Sequence, residues 1–253
     1  MCIVGQLYGL TGCGVNLIAD GAGFTSRHGG RGIYTHPPVD ASLQRALVEA
    51  VGPDAVLQGG SVLAPATADG VSDVLRIAEE RHLPVRLTSD AGEAVATPDG
   101  GAVLSLARLA VLSVDASNGV ARAEAGVTIA ALAAALADAG LAVPGLGAGS
   151  GSSEHVGGLI ARGGVPRRSL TGIEAVLTGG DQIQFGGAVL KDVVGYDIAS
   201  LLLGSRGRLA AIIAVHLRLI PAAAAVEVAE PAGAREVGEL TGVFDPEGIL
   251  VGG

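Results

Sequence analysis

The chain has 253 residues, 49% of them hydrophobic and 16% charged, with 41 glycines and a net charge of −9. That length supports a sizeable core in one or two domains. The apolar content excludes wholesale disorder, and the absence of a G-X-Y period excludes collagen. An acidic chain with 2% aromatics and no Trp is a poor match for nucleic acid, because it repels phosphates and lacks stacking platforms.

Residues 1–45 carry no clear hydrophobic period, and residues 1–52 read as an N-terminal extension of unclear order. Cys2 and Cys13 are too few for a disulfide framework or a four-cysteine metal site; they read as incidental in a reducing compartment. A nucleophilic role for Cys2 is disfavoured by Ile3, where such a terminal Cys is usually followed by Gly. The opening MCIVGQLYGL lacks a basic n-region, so no signal peptide is expected and a cytoplasmic protein is.

Regular structure is expected from residue 53, with a first lobe over 53–110. Residues 62–64 read as a short strand ending at Pro65. Residues 67–82 read as a helix, because Val71, Val74, Leu75 and Ala78 form one apolar stripe and Thr67 suits the N-cap. Strands are expected at 84–87 and 102–106. Strand, helix and strand in this order make a parallel crossover unit.

A second lobe is expected over 111–221. Apolar runs at 111–114 and 120–123 flank Asp115-Ala-Ser-Asn-Gly119, a hairpin signal. Residues 128–139 form a helix capped by Thr128, with Ile129, Leu132 and Leu136 on one face and Gly140 as its stop. A second hairpin spans 173–177 and 182–185. A short helix over 197–203 is capped by Asp197 and stopped by Gly204. A long strand follows over 209–220. The most apolar stretch, 209–228, is broken by His216, Arg218 and Pro221, so no membrane span is expected. The whole reads as α+β, a small α/β lobe followed by a lobe with an antiparallel sheet and flanking helices. Residues 222–253 read as a linker and a C-terminal remnant.

Three glycine-rich segments carry the chemistry. They are GLGAGSG (145–151) with VGGLIARGG (156–164), FGGAVLKDVVGYD (185–197), and LGSRGRL (203–209). Glycine lets backbone N–H groups approach a ligand and cradle an anion. Each run alone is equally a plain turn. Together with VLAPATADGVSDVLRIAEERHLPVR, VDASNGVARAEAGVTIAALAAALADAGLAVP, HVGGLIARGGVPRRSLTG and FDPEGIL, they resemble the FAD-binding domain of the vanillyl-alcohol oxidase and p-cresol methylhydroxylase type. Within it, the chain is most similar to the glycolate oxidase FAD-binding subunit and D-lactate dehydrogenase branch. Lys191, the sole lysine, stands at the motif's Lys position.

The resemblance implies a two-lobed FAD-binding fold and oxidation of a small 2-hydroxy acid. It implies that Gly157 and Gly158 lie against FAD, and that Pro144 and Gly145 lie near the dinucleotide or flavin. Lys191, Gly195, Tyr196 and Asp197 should border the cofactor pocket; Gly204, Gly207 and Ile213 should line the isoalloxazine or ribityl region. Covalent attachment would need a suitably placed His, and His28 and His36 precede the matched region. No catalytic base is assigned. The Lys191-x-Val-x-Gly-Tyr-Asp segment argues against the flavin-dependent cell-wall precursor reductase that shares this fold.

Simpler roles stand beside these. Lys191 could pair with Asp192 or Asp197, and Tyr196 could pack in the core. His155 could be a solvated loop residue. Arg167 and Arg168 suit either a carboxylate or phosphate clamp or a solvated pair. His216 and Arg218 alternate with Val215, Leu217 and Leu219, which places them on the polar face of a half-buried strand.

The departures from the family are specific. Its Gly-rich pyrophosphate loop corresponds here to residues 87–95, LTSDAGEAV, with one Gly and two acids, Asp90 and Glu93. A carboxylate ~5 Å from a phosphate charge costs about 3 kcal/mol at an effective dielectric of ~20. Arg206 and Arg208 stand where the family has Glu and Thr. The segment around Gly172 is shortened. About two dozen residues separate Pro221 from the terminal FDPEGIL, too few for a substrate-binding cap, so the cap is expected to be essentially absent. Two functions therefore stand: an FAD-binding subunit completed by a second flavoprotein or electron-transfer subunit, peripheral to a membrane only through that partner; or a non-catalytic scaffold in which productive FAD binding has been lost.

Overall fold

The computed structural model describes residues 17–20, 23–28, 31–36, 41–57, 61–90, 98, 100–146, 153–187, 197–224, 233 and 237–251. The chain divides into two units, Met1–Pro38 and Val39–Gly253. In the first, β1 (Leu17–Asp20), β2 (Gly23–His28) and β3 (Arg31–His36) form an antiparallel sheet in that order. These strands were not legible as a period in so glycine-rich a stretch. His28 and His36 lie at the ends of β2 and β3.

The second unit opens with α1 (Ala41–Val51), ahead of residue 53, where the sequence predicts order to begin. Leu43 and Leu47, one turn apart, are its buried contacts. After a 3-10 turn come β4 (Val56–Leu57), β5 (Val62–Leu63), α2 (Ala68–Glu80), β6 (Val85–Thr88) and β7 (Ala102–Ser105). Thr67 caps α2 as expected, its hydroxyl accepting from Gly70 N at 3.1 Å. The stripe Val71, Val74, Leu75 and Ala78 is buried. β5 and β6 both run parallel to β7, which lies between them in the order β4-β5-β7-β6. The crossover therefore skips one strand position.

Next come β8 (Leu112–Asp115) and β9 (Val120–Glu124), the expected hairpin. In its turn the Asp115 carboxylate accepts from Ser117 Oγ, then from the side chain and backbone of Asn118, which lowers its pKa to about 2. The remaining elements are α3 (Ile129–Asp138), β10 (Leu141–Ala142), α4 (Val156–Ala161), β11 (Leu170–Val176), β12 (Gln182–Gly186), α5 (Ile198–Leu202), β13 (Ala211–Arg218), β14 (Ile220–Pro221) and α6 (Gly238–Phe244). Five strands form an antiparallel sheet in the order β12-β11-β13-β9-β8, and β10 pairs with β14. Near the C-terminus, Asp245 is buried and its two oxygens accept from Ile249 N and Leu250 N at 2.9 Å each. That turn lays 249–251 beside β6, with Val85 N donating to Ile249 O and Val251 N to Val85 O.

Two cores result. One packs α1 and α2 on Leu63, Val85 and Leu104, and also takes in Ala125, Val176, Ala211 and Ile213. The other packs α3, α4 and α5 on Ala121, Ala123, Ile173, Ala175, Val215 and Leu217.

The expectation for His216 is corrected here. Arg218 is exposed, but His216 is only 7% exposed, because β13 is the central strand and is sealed along its length. Its Nε2 lies 2.8 Å from Glu174 Oε1 on β11. Arg122 on β9 grips the same carboxylate in bidentate fashion, Nε to Oε1 at 2.8 Å and Nη2 to Oε2 at 2.6 Å. The Arg122 hydrogen bond, then that of His216, outweigh burial and hold the Glu174 carboxyl below its ordinary range. In turn, Glu174 raises the Arg122 guanidinium.

Two measurements follow from this packing. A Cβ at Gly126 would collide with the Ala107 carbonyl, whereas one at Gly242 in α6 meets nothing within 4 Å. Gly126→Ala is expected to cost about 1–3 kcal/mol of overpacking, and Gly242→Ala to add about 0.5–1 kcal/mol, as read by urea unfolding. Because the Glu174 carboxyl is depressed on folding, its stabilisation is complete above the unfolded value near 4.3 and is lost as pH falls through the folded one. Melting temperatures between pH 3 and 7 should therefore fall less steeply for Glu174→Gln than for the parent chain; an equal slope would remove Glu174 from the acid response.

Candidate functional site

Two of the predicted glycines, Gly158 and Gly207, lie against the C-terminal end of β6 and the residue that follows it. β9 ends at Glu124, and Ala125 N then donates to Ile213 O on β13 at 2.9 Å. Val156 N donates to Val127 O at 2.8 Å and Gly157 N to Ala125 O at 2.9 Å, so the first turn of α4 is docked on backbone carbonyls. A Cβ on Gly157 would stand 2.8 Å from Ala125 Cβ and 3.1 Å from its carbonyl oxygen; only glycine permits this approach. Gly158 is turned elsewhere. A Cβ there would stand 2.8 Å from Ser89 Oγ, just past β6, and 3.3 Å from a terminal nitrogen of Arg162.

The loop after α5 closes on the same place. Gly204 N donates to Ile160 O at 3.0 Å and Arg206 N to Ala161 O at 2.8 Å, which ties the loop to the end of α4. Gly204 and Gly207 have φ of 83° and 69°. A Cβ on Gly207 would stand 3.3 Å from the Leu87 side chain on β6. Ser205 is fully buried, and its Oγ has no hydrogen-bond partner among the described residues. Ile213 is 5% exposed and shares a core cluster with Leu87.

Gly157, Gly158, Gly204, Gly207 and Ile213 are thus brought together with Leu87–Ser89. Pro144 and Gly145 form a turn after β10, where the Pro144 carbonyl accepts from Ser169 Oγ at 2.6 Å and Gly145 is exposed with φ 75°. Asp197 caps α5, accepting from Ser200 N at 3.1 Å. Arg167 is bound to it, Nε at 2.9 and 3.0 Å from its two oxygens, and also donates to Leu170 O. The sequence offers Arg167 a ligand clamp or a solvated surface pair; the structure shows a third setting, an ion pair with Asp197. Burial raises the Asp197 carboxyl, but the hydrogen bonds of Arg167 and Ser200 outweigh it and hold the group below its ordinary range. His155 is half-buried at the N-cap of α4 without a capping hydrogen bond. Lys191, Gly195, Tyr196 and Glu93 lie outside the described residues.

In the loop after β6, Thr88 Oγ1 donates to Asp90 Oδ1 at 2.8 Å, and Ser105 Oγ donates to the Asp90 carbonyl. The carboxylate is therefore turned back on its own strand. Sequence reasoning missed Ser89, since only the fold sets it opposite Gly158, and Ser205, whose burial no local pattern signals. A separate cleft of about 300 Å³ lies between α1 and the start of α2, lined by Asp54, Asp69, Asp73 and Arg108 among others. It shares no lining residue with the glycine cluster.

Comparison with known proteins gives this arrangement a family. The FAD binding domain family matches residues 60–191. A D-lactate dehydrogenase of Archaeoglobus fulgidus is 35% identical over 202 residues, covering 75% of this chain and 45% of that protein. The glycolate oxidase subunit GlcD of Bacillus subtilis is 32% identical over 213 residues, covering 78% and 42%. The mitochondrial D-2-hydroxyglutarate dehydrogenase of Bos taurus is 32% identical, covering 66% and 33%. The chain thus spans less than half the length of these relatives. Among solved structures, the berberine bridge enzyme of Eschscholzia californica superposes with a TM-score of 0.53 at 20% identity, covering 72% of this chain and 39% of that one. The 6-hydroxy-D-nicotine oxidase of Arthrobacter nicotinovorans does so at 0.52 and 22%, covering 63% and 36%. An α+β fold and these matches together place the chain in the FAD binding domain family.

Proposed function

We propose that this chain holds FAD along the surface where Gly158 and the 204–207 loop face the end of β6, and serves the oxidation of a small 2-hydroxy acid. The observation that carries it is the side-chain-free approach at Gly158, opposite Ser89. A dinucleotide needs backbone that it can approach closely and polar groups not already satisfied. Gly158 supplies the first, and the buried Ser205 Oγ, without a partner among the described residues, is of the second kind. The residues present fit the group. Those that would hold it are Gly157, Gly158, Gly204, Gly207 and Ile213, with Pro144 and Gly145 from the turn after β10, and Lys191, Gly195 and Tyr196 from the motif segment. Asp197 would contribute by capping α5 and keeping the following loop in place.

FAD supplies a two-electron acceptor when bound. The chain's own residues would orient it and exclude water, through Ile213 and the docked first turn of α4. The 2-hydroxy acid is supported by the names of three relatives, a lactate, a glycolate and a 2-hydroxyglutarate enzyme. A partner is supported by one relative's being named a subunit, and a second flavoprotein or electron-transfer subunit suits the chemistry. No helix among the described residues is long and apolar enough to cross a membrane; a cytoplasmic setting, with membrane association only through the partner, goes with this reading.

Asp90 favours a second reading, a scaffold subunit that no longer holds FAD productively, because its carboxylate stands in the loop after β6. Flavin absorbance of the purified protein and titration with FAD separate the two. The parent chain should take up about one FAD. Gly158→Ala should weaken uptake roughly tenfold or more, about 1.4 kcal/mol per decade, with little change in melting temperature, since the new methyl meets only side-chain tips. Gly157→Ala should instead lower the melting temperature. If neither the parent chain nor Asp90→Asn takes up FAD, the first reading falls and the scaffold stands.

A further inference from the structure

We infer that Arg206 is a phosphate-anchoring residue of this chain, its guanidinium neutralising the pyrophosphate of the dinucleotide. This rests on the FAD reading above and adds a specific residue to it.

Among the described residues, two that are not glycine have positive φ, His82 at 50° and Arg206 at 55°. His82 directly follows the C-cap of α2, where a left-handed residue is an ordinary way to stop a helix. Arg206 has no such reason. Gly204, with φ 83°, already turns the chain away from α5. An L-residue is kept in this region only where its surroundings over-determine it, and such positions cluster at ligand sites. Here Gly204 N to Ile160 O, Arg206 N to Ala161 O and Arg208 N to Ser205 O hold it.

What the loop then presents is a cation without an acidic partner. Arg206 is exposed and, like Arg81 and Arg218, forms no ion pair among the described residues, but of these three it alone has a positive φ. An unpaired, backbone-strained arginine is notable in a chain with 25 acidic against 16 basic residues. Beside it lies the buried Ser205 Oγ, without a partner among the described residues, and on its other side Gly207 abuts Leu87 at the end of β6. Arg206 therefore belongs to the loop that packs on the strand leading to Asp90. The long-range field of the whole chain repels a dianion. A guanidinium in this loop opposes both that field and Asp90, and it can bind phosphate oxygens in bidentate fashion.

The test is flavin binding to the full chain, read by fluorescence, with FAD and with riboflavin, which lacks the phosphates. Arg206→Asn keeps a residue that tolerates positive φ, and Arg206→Lys keeps the charge. Arg206→Asn should lower FAD affinity at least about tenfold, leave riboflavin affinity unchanged and leave the melting temperature of the flavin-free protein unchanged. Arg206→Lys should retain most of the FAD affinity. Parental FAD affinity in Arg206→Asn, or an equal loss for riboflavin, overturns the assignment. So does a lowered melting temperature with intact FAD affinity, which would make Arg206 only a charge at the end of α4. If the parent chain itself binds no FAD, the FAD reading fails and the role of Arg206 fails with it; that arm uses no variant, so the two failures are told apart.

Discussion

Two backbone hydrogen bonds, Ala125 N to Ile213 O and Gly157 N to Ala125 O, hold the candidate site together. Ala125 follows β9, Ile213 lies on the central strand β13, and Gly157 sits in the first turn of α4. The three meet where the two hydrophobic cores adjoin: Ala125 and Ile213 belong to one, Ala123 and Val215 to the other. Docking the first turn of α4 on a strand end through backbone amides, with Val156, Leu159 and Ile160 buried in the core, leaves Gly158 to face Ser89. Buried backbone amides are obliged to find partners, and at this junction they find them in each other's segments.

Glycine has two distinct physical uses here. At Gly157 the missing Cβ is filled by Ala125, which makes it a packing device. At Gly158 the neighbours are the tip of Ser89 and the end of Arg162, groups that can move to admit a ligand. Both positions look alike in a Val-Gly-Gly run, yet they differ in what a methyl would cost.

Electrostatics divides the polar residues in the same way. Across three adjacent strands, the Glu174 carboxylate is answered by the Arg122 guanidinium and His216 Nε2. Arg167 and Asp197 likewise satisfy each other. The Glu174 cluster serves the fold, because a buried charge without a partner is costly. In the loop after α5, Arg206, a cation without an ion pair among the described residues, adjoins Ser205, a buried hydroxyl without a partner among them. Their place next to β6 ties the electrostatics of the site to the loop that carries Asp90.

From its residues alone the chain announces most of its regular elements. Thr67 and Thr128 cap the helices they were expected to cap, because capping is a contact within three residues. The α2 stripe and the hairpin around Asp115–Gly119 are equally local. The order of the glycine-rich segments, with Lys191, was enough to indicate the family. What only the tertiary structure decided is pairing at long range: that β7 lies between β5 and β6, that β13 is central and so buries His216, and that Glu174 meets Arg122 across 52 residues. The N-terminal strands escaped notice because glycine-rich sequence shows no clear period, whereas α1 has no glycine and its Leu43, Ala46, Leu47 and Ala50 stripe was legible but passed over. Period and capping are properties of neighbours in sequence. Register and burial depend on which distant strand arrives alongside, and no local pattern encodes that.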